Sequence, residues 1–514
     1  MHDEQLARMD AQQLRALAAE LIARISHQDH ELRHRQLKIE QLTHEMAQLK
    51  RWKFAAQSEQ WHGEQRSLLE ETLEADLEAI EIELEALQRS ASLVPPEKAK
   101  PRRTPLPAHL PRTDVSHEPE STVCGCGCQM QRIGEDVSEK LDYVPGVFRV
   151  ERHIRGKWTC AQCQTLVQAP VPAQVIDKGL PTAGLLAQVL VAKYADHQPL
   201  YRQEGIFARA GVALSRSTLA QWVGACGVQL QPLVEAMREA LRARPVLHAD
   251  ETPVAMLSPG KGRTHRAYLW SYSSTEFDRL RAVVYDFAET RAGAHAKQFL
   301  GDWTGKLVCD DYAGYKALFA NGIVEVGCLA HARRKFHDLW VHHQSGIAEE
   351  ALTLFGALYG VERDLKDLDA GERQRMRQQR SKPLAETLHQ WLILHRLKVP
   401  DGTATAKAID YSLKRWVALT RYLDDGHLPI DNNWVENRIR PIALGRSNWL
   451  FAGSLRAGQR AAAVMSLIQS AKLNGHDPYR YLKDVLKRLP TQPASRLAEL
   501  LPYGWKPADT DRCV

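Results

Sequence analysis

A chain of 514 residues, 44% of them hydrophobic and 25% charged, is too long for one hydrophobic core and is expected to divide into roughly three or four units. No apolar run approaches the length of a membrane span, and MHDEQLARMDAQQL lacks an apolar signal region, which excludes a membrane partner and predicts a soluble, cytoplasmic protein. The net charge of +6 permits a nucleic-acid partner without requiring one, and five of the nine cysteines fall between Cys124 and Cys163, which favours a metal site over a disulfide framework.

Residues 1–92 are predicted to form a coiled coil or helical hairpin. Ile39, Leu42, Met46 and Leu49 repeat at steps of three and four, and Leu73, Leu77, Ile80, Leu84 and Leu87 form a second seam among acidic residues. The seams fit two outcomes equally, a hairpin packed on its own chain and a dimerising zipper. Residues 93–120, rich in Pro, Lys and Arg, read as an exposed linker, with regular structure resuming near Val123.

A small zinc-binding module is expected over 121–175. VCGCGCQM supplies Cys124, Cys126 and Cys128, and WTCAQCQ supplies Cys160 and Cys163, so two turns each present two thiolates to one structural Zn²⁺. The assignment is Cys124, Cys126, Cys160 and Cys163, with Cys128 an open alternative because the first group lacks the usual spacing. The stretch between them alternates like a hairpin and carries Arg149, Arg152, Arg155 and Lys157, a basic strand suited to DNA. Residues 176–240 are helical, and a break at Gly211 followed by Ser215 or Ser217 outlines a helix-turn-helix, a pattern that most often marks an ordinary helical corner.

After Pro245 the pattern shifts to short apolar runs, VLHADETPV, RAYLWSYS, RAVVYDF, KLVCDDY and IVEVGCLAH, which read as strands of a mixed sheet flanked by helices. This α/β catalytic core is placed at 241–460, with a helical insertion at about 340–425 that either serves as a spacer or meets DNA or a second protomer. A C-terminal helical segment follows at 461–514. HADET places Asp250 at the C-terminal end of a strand, and LVCDDYAGY does the same for Asp310, with Asp311 directly after it. Two such carboxylates suit Mg²⁺ or Mn²⁺, and Glu436 is the best third acid, on a helix beside Arg438 and Arg440, which can orient a DNA strand by phosphate contact. Residue chemistry alone does not choose between Asp310 and Asp311. His331, Arg333, Arg334 and Arg446 are further candidates for DNA contact, whereas Trp449 and Phe451 read as core.

HADETPV, CDDYAGYKAL, CLAHARRKFHDL and DNNWVENRIRPIALGRSNWLFAGS occur in that order and resemble successive blocks of insertion sequence 66 family transposases. WKFAAQSEQ, the cysteine module, GLLAQVLVAKYADHQPLYRQEGIF and SLIQSAKLNGHDPYRYLKDVLKRLP extend the resemblance over nearly the whole chain. The resemblance implies an RNase H-like catalytic fold with an Asp, Asp, Glu triad at Asp250, Asp310 and Glu436, where family register favours Asp310 and the family commonly has glycine at position 311. It further implies metal-dependent cleavage and strand transfer at element ends, double-stranded DNA as partner, a homo-oligomer, accessory proteins of the same element, and a bacterial, nucleoid-associated location. The alternatives are a transposase-derived DNA-binding regulator without catalysis and a structure-selective nuclease without strand transfer.

Overall fold

The computed structural model describes residues 11–55, 63–89, 106, 108, 110–144, 146–176, 179–258 and 263–507. Residues 93–105 of the expected linker, and most of WKFAAQSEQ, lie outside the described residues.

Two long helices come first, α1 (Ala11–Ala55) and α2 (Gly63–Arg89). Leu42 and Leu49 of α1 pack with Leu73, Leu77, Ile80 and Leu84 of α2, and the cluster continues into Leu257 and Phe451. At this end the hairpin therefore packs on its own chain. Ion pairs lock it there: the buried Asp76 pairs with Arg460 at 2.9 Å, and the partly buried Arg456 bridges Glu45 at 3.1 Å and Glu83 at 2.6 Å. The same heptad register runs back along α1 through Leu32, Ile25 and Leu21, which are 57%, 56% and 47% exposed.

Regular structure resumes at Arg112, earlier than the composition indicated. Strand β1 (Arg112–His117) runs parallel to β3 (Val147–Thr159), which pairs antiparallel with β2 (Gln131–Val144) and with the short β4 (Leu166–Gln168). The partner strand supplies a hydrogen-bond ladder that a local reading of the proline-rich stretch cannot anticipate. The basic strand is largely neutralised within this sheet, since Arg152 pairs with Asp114 at 3.3 Å while Arg155 and Lys157 share Asp136 at 3.3 and 2.6 Å.

Helices α3 (Ala183–Tyr194), α4 (Leu200–Arg209) and α5 (Arg216–Arg242) follow. Gly211 turns the chain at φ 86°, and the Ser215 hydroxyl caps α5 by accepting from the Thr218 N–H. The helix-turn-helix outline is present, but α5 runs for 27 residues and buries Trp222, Val223, Leu230, Leu233 and Met237. Its Gly224 lies directly against the Ala75 backbone of α2, so this corner is a core element.

The five apolar runs after Pro245 form one sheet: β5 (Val246–Ser258), β6 (Arg263–Ser273), β7 (Val283–Ala288), β8 (Lys306–Cys309) and β9 (Val324–Gly327). Their order is β7-β6-β5-β8-β9, antiparallel from β7 to β5 and parallel from β5 to β9. Helices α6 (Gly293–Leu300) and α7 (Lys316–Phe319) lie between strands. The expectation that Asp250 ends its strand is corrected here. Pairing with β8 stops at His248, but β6 continues the ladder on the other edge to Ser258, so Asp250 sits inside β5 at the point where its two neighbours part.

Helices α8 (Leu329–His343), α9 (Gly346–Asp364), α10 (Ala370–Met376), α11 (Lys382–Arg396), α12 (Ala404–Lys414) and α13 (Trp416–Thr420) include the expected insertion. Phe336, Phe355, Leu388, Leu392, Ile409 and Tyr422 share a core with Val246, Val308 and Val326, so these helices are packed on the sheet. The last α-helices among the described residues are α14 (Asn433–Trp449), α15 (Leu455–Leu473) and α16 (Pro478–Arg488). Helix α14 breaks at Leu450, φ 62°, beyond which Ala452 bonds to β5 through the Ala255 carbonyl at 2.8 Å and the Leu257 N–H at 2.9 Å. Helix α15 covers the outer edge of β7, its Ser466 and Ser470 hydroxyls accepting the Tyr285 and Val283 N–H groups at 2.8 and 3.0 Å.

Candidate active site and zinc centre

Three separate elements bring acids to one place. Asp250 lies two residues past the last β5 residue paired with β8, and Asp310 directly follows β8. Carrying the register Val246↔Lys306, Leu247↔Leu307, His248↔Val308 forward by two sets Asp310 level with Asp250, on the same face of two diverging strands. Glu436 occupies the first turn of α14. That turn is fixed by Asn432, which is buried and donates through Nδ2 to the Ala249 carbonyl at 2.9 Å, so its Oδ1, 2.7 Å from His248 Nδ1, accepts a hydrogen bond from the imidazole N–H.

The electrostatics couple the acids. Burial pushes the Asp250 carboxyl well above the usual carboxylate range, and the negative charges of Glu251, Glu436 and Asp310 push it further. Glu436 Oε2 is 3.4 Å from Arg334, and its Oε1 is 3.7 Å from His331 Nδ1. Both Glu436 Oε1 and His331 Nδ1 are buried without a hydrogen-bond partner. Asp310 Oδ1 accepts from the Tyr312 N–H at 2.9 Å, whereas Asp311 is an exposed residue held by Arg415 at 2.6 Å and Lys316 at 3.7 Å. The two adjacent aspartates thus have different employment: one caps a turn beside the other acids, the other is neutralised by cations.

His331 and Arg334 share an open cleft with Asp310, Lys335 and Arg291. The remaining candidates for DNA contact are arranged differently. Arg333 is half-buried, and Arg440 is exposed. Arg438 stacks on Trp434 at 4.2 Å, and Arg446 donates to the Pro253 carbonyl of β5. Phe451 is buried and Trp449 packs against the main core, as the sequence indicated.

A charged framework around the acids escaped the sequence reading. Glu251 accepts from the Tyr315 hydroxyl at 2.7 Å and from Arg291 Nε at 2.8 Å, and the Arg291 guanidinium lies 3.8 Å above the Tyr312 ring. Burial raises the Glu251 carboxyl pKa, and the Tyr315 and Arg291 hydrogen bonds oppose that rise. HADET displayed Glu251 beside Asp250, but its partners stand 40 and 64 residues away, and no local pattern links them.

In the small sheet, Cys124, Cys126, Cys160 and Cys163 gather with their sulfurs within 4.8 Å of one another, including a Cys124 to Cys163 separation of 3.0 Å and a Cys126 to Cys160 separation of 3.9 Å. Sulfurs about 2.3 Å from one tetrahedral zinc stand roughly 3.8 Å apart, so the donor set fits that ion. Cys128 is turned to Gln162 Oε1 at 2.9 Å.

Together with the family matches, these features indicate a transposase-type nucleic-acid enzyme carrying a zinc-finger module. Residues 178–460 match the transposase IS66 family, 466–503 the IS66 C-terminal element, 121–164 the zinc-finger binding domain of transposase IS66, and 41–115 the family described as transposase C of IS166 homeodomain. The chain belongs to the IS66 transposase family. Its relatives include three proteins of Sinorhizobium fredii described as uncharacterized. It is 39% identical to y4jD over 78% of this chain and 81% of the relative, and 39% identical to y4qI over 86% and 84%. Identity to y4hP is 35% over 82% and 80%. Among the described residues no helix is long and apolar enough to cross a membrane.

Proposed function

We propose that the protein is a DDE transposase in which Asp250, Asp310 and Glu436 hold Mg²⁺ or Mn²⁺ and carry out phosphodiester cleavage and strand transfer at the ends of an insertion sequence. The observation that carries this reading is the meeting of three acids from β5, β8 and α14, with Asp250 electrostatically coupled to the other two. A mixed sheet with flanking helices supports an RNase H-like core, with the acids where the antiparallel and parallel halves meet.

The residues fit hard divalent ions, because they offer only carboxylate oxygens and leave the buried Glu436 Oε1 without another partner. Such ions, when bound, activate the attacking oxygen and stabilise the leaving oxygen of an in-line displacement at phosphorus. The chain's own part is positional. Asn432 sets the depth of Glu436 against β5, and Arg291 and Tyr315 fix Glu251 beside Asp250. Arg334 and Lys335, exposed in the same cleft, orient the phosphate backbone of double-stranded DNA.

The exposed apolar register of α1 supports a homo-oligomer. A nucleoid-associated location in a bacterium belongs to the same reading, through DNA as partner. Accessory proteins of the same element belong to this reading through the family. Asp250→Asn tests it: metal-dependent nicking of a labelled element-end duplex should fall to background while binding of that duplex persists. Cutting by the variant at the wild-type rate would overturn the assignment.

A further inference from the structure

Glu436 also faces donors that the carboxylate site does not use. Cys328 ends the loop after β9 and His331 lies in the first turn of α8, three residues on, so both fall on one side of that turn. Cys328 Sγ, a His331 ring nitrogen and a Glu436 carboxylate oxygen lie within 4.8 Å of one another. His331 Nδ1 and Glu436 Oε1 are 3.7 Å apart, too far for a hydrogen bond, and each is buried without another partner. Two donors about 2.1 Å from one tetrahedral ion stand roughly 3.4 Å apart, so a small approach completes a pair of ligands. The backbone is already fixed on both sides, by the Asn432 N–H donating to Cys328 Sγ at 3.2 Å and the Leu329 N–H donating to the Ile430 carbonyl at 3.1 Å. Cys328 is fully buried, whereas His331 is partly open to the cleft, which gives an ion a way in.

We infer that Cys328, His331 and Glu436 form a second zinc-class site, separate from the four-cysteine centre and sharing Glu436 with the acidic cluster. A sulfur, nitrogen and oxygen set selects borderline ions such as Zn²⁺ or Co²⁺ over Mg²⁺, which prefers oxygen alone. Cys328 binds as the thiolate, its proton leaving to solvent. Resting on the proposed role of Glu436, the site has a regulatory consequence: zinc here withdraws Glu436 from the carboxylate cluster and arrests Mg²⁺-dependent cleavage.

Zinc counting on the full chain after equilibrium dialysis against Zn²⁺ tests the site without reference to activity. Two equivalents per chain are expected in the wild type and one in His331→Gln and in Cys328→Ala, with two retained in His337→Gln. Co²⁺ added to protein with one zinc bound should give a thiolate charge-transfer absorption that Cys328→Ala removes. One equivalent in the wild type, or an unchanged count in a folded His331→Gln protein, would overturn the inference. If a variant fails to fold, the wild-type count alone decides. Failure of this site would leave the loss of nicking in Asp250→Asn untouched, whereas active Asp250→Asn protein with two zincs would refute the carboxylate reading and preserve this one.

Discussion

Asn432 shows how one side chain sets the geometry of the candidate site. It satisfies His248 and the Ala249 carbonyl from the N-terminal end of α14, and so joins the helix bearing Glu436 to the strand bearing Asp250. Asn432→Ala leaves these buried groups unpaired and should cost about 1–3 kcal/mol in denaturant unfolding. Nicking should fall in the same variant at temperatures where it remains folded; an unfolding midpoint and nicking rate equal to wild type would show that Asn432 sets neither. The cysteine module allows an equally local test. Cys126→Ser should lose the four-cysteine zinc on dialysis and Cys128→Ser should keep it, because Cys126 lies in the sulfur cluster and Cys128 bonds Gln162. The reverse result would exchange their assignments.

Between elements, edge protection and helix placement follow from short polar side chains. Ser466 and Ser470 accept the outward N–H groups of β7, so α15 closes an edge that an unpaired strand would expose. Ser466→Ala should lower stability by about 1–3 kcal/mol, read as a shift in the denaturation midpoint with an unchanged slope. An unchanged midpoint would mean that water replaces the serine there. The strands themselves were legible, since alternation and β-branched residues mark each of the five runs around Leu247, Leu269, Val284, Val308 and Val326. The end of β5 was not, because its length depends on β6. Strand β1 was hidden for the same reason, its ladder being supplied by β3 about 38 residues later. At the site, the acids were visible through their motifs, while Arg291, Tyr315 and Arg415 were not, since each acts across a gap that only the fold closes.

Over the whole molecule, the α1–α2 hairpin has two different ends. Near Leu42 and Leu49 it is bound to the core by apolar packing and the buried Asp76–Arg460 ion pair, whereas Leu21, Ile25 and Leu32 continue the seam into solvent. A heptad register that outlasts its intrachain partner is suited to a second copy. Leu21→Asp with Ile25→Asp should reduce the proposed oligomer to monomer mass in light scattering with little change in the unfolding of the core. An unchanged mass would place self-association elsewhere. The sequence left zipper and hairpin equal because both bury the same positions; the structure shows the hairpin alternative near the core, and the exposed half motivates the zipper.

The acids of β5, β8 and α14 are proposed to act as one metal-holding unit. Its most direct test is the nicking rate of an end-labelled duplex carrying the element's own terminus, measured with Mg²⁺ and with Mn²⁺ for Asp250→Asn, Asp310→Asn, Asp311→Asn and Glu436→Gln. Background rates are expected for the Asp250, Asp310 and Glu436 variants, with duplex binding retained, and continued cleavage by Asp311→Asn. Wild-type rates from any of those three, or loss of cleavage confined to Asp311→Asn, would contradict it.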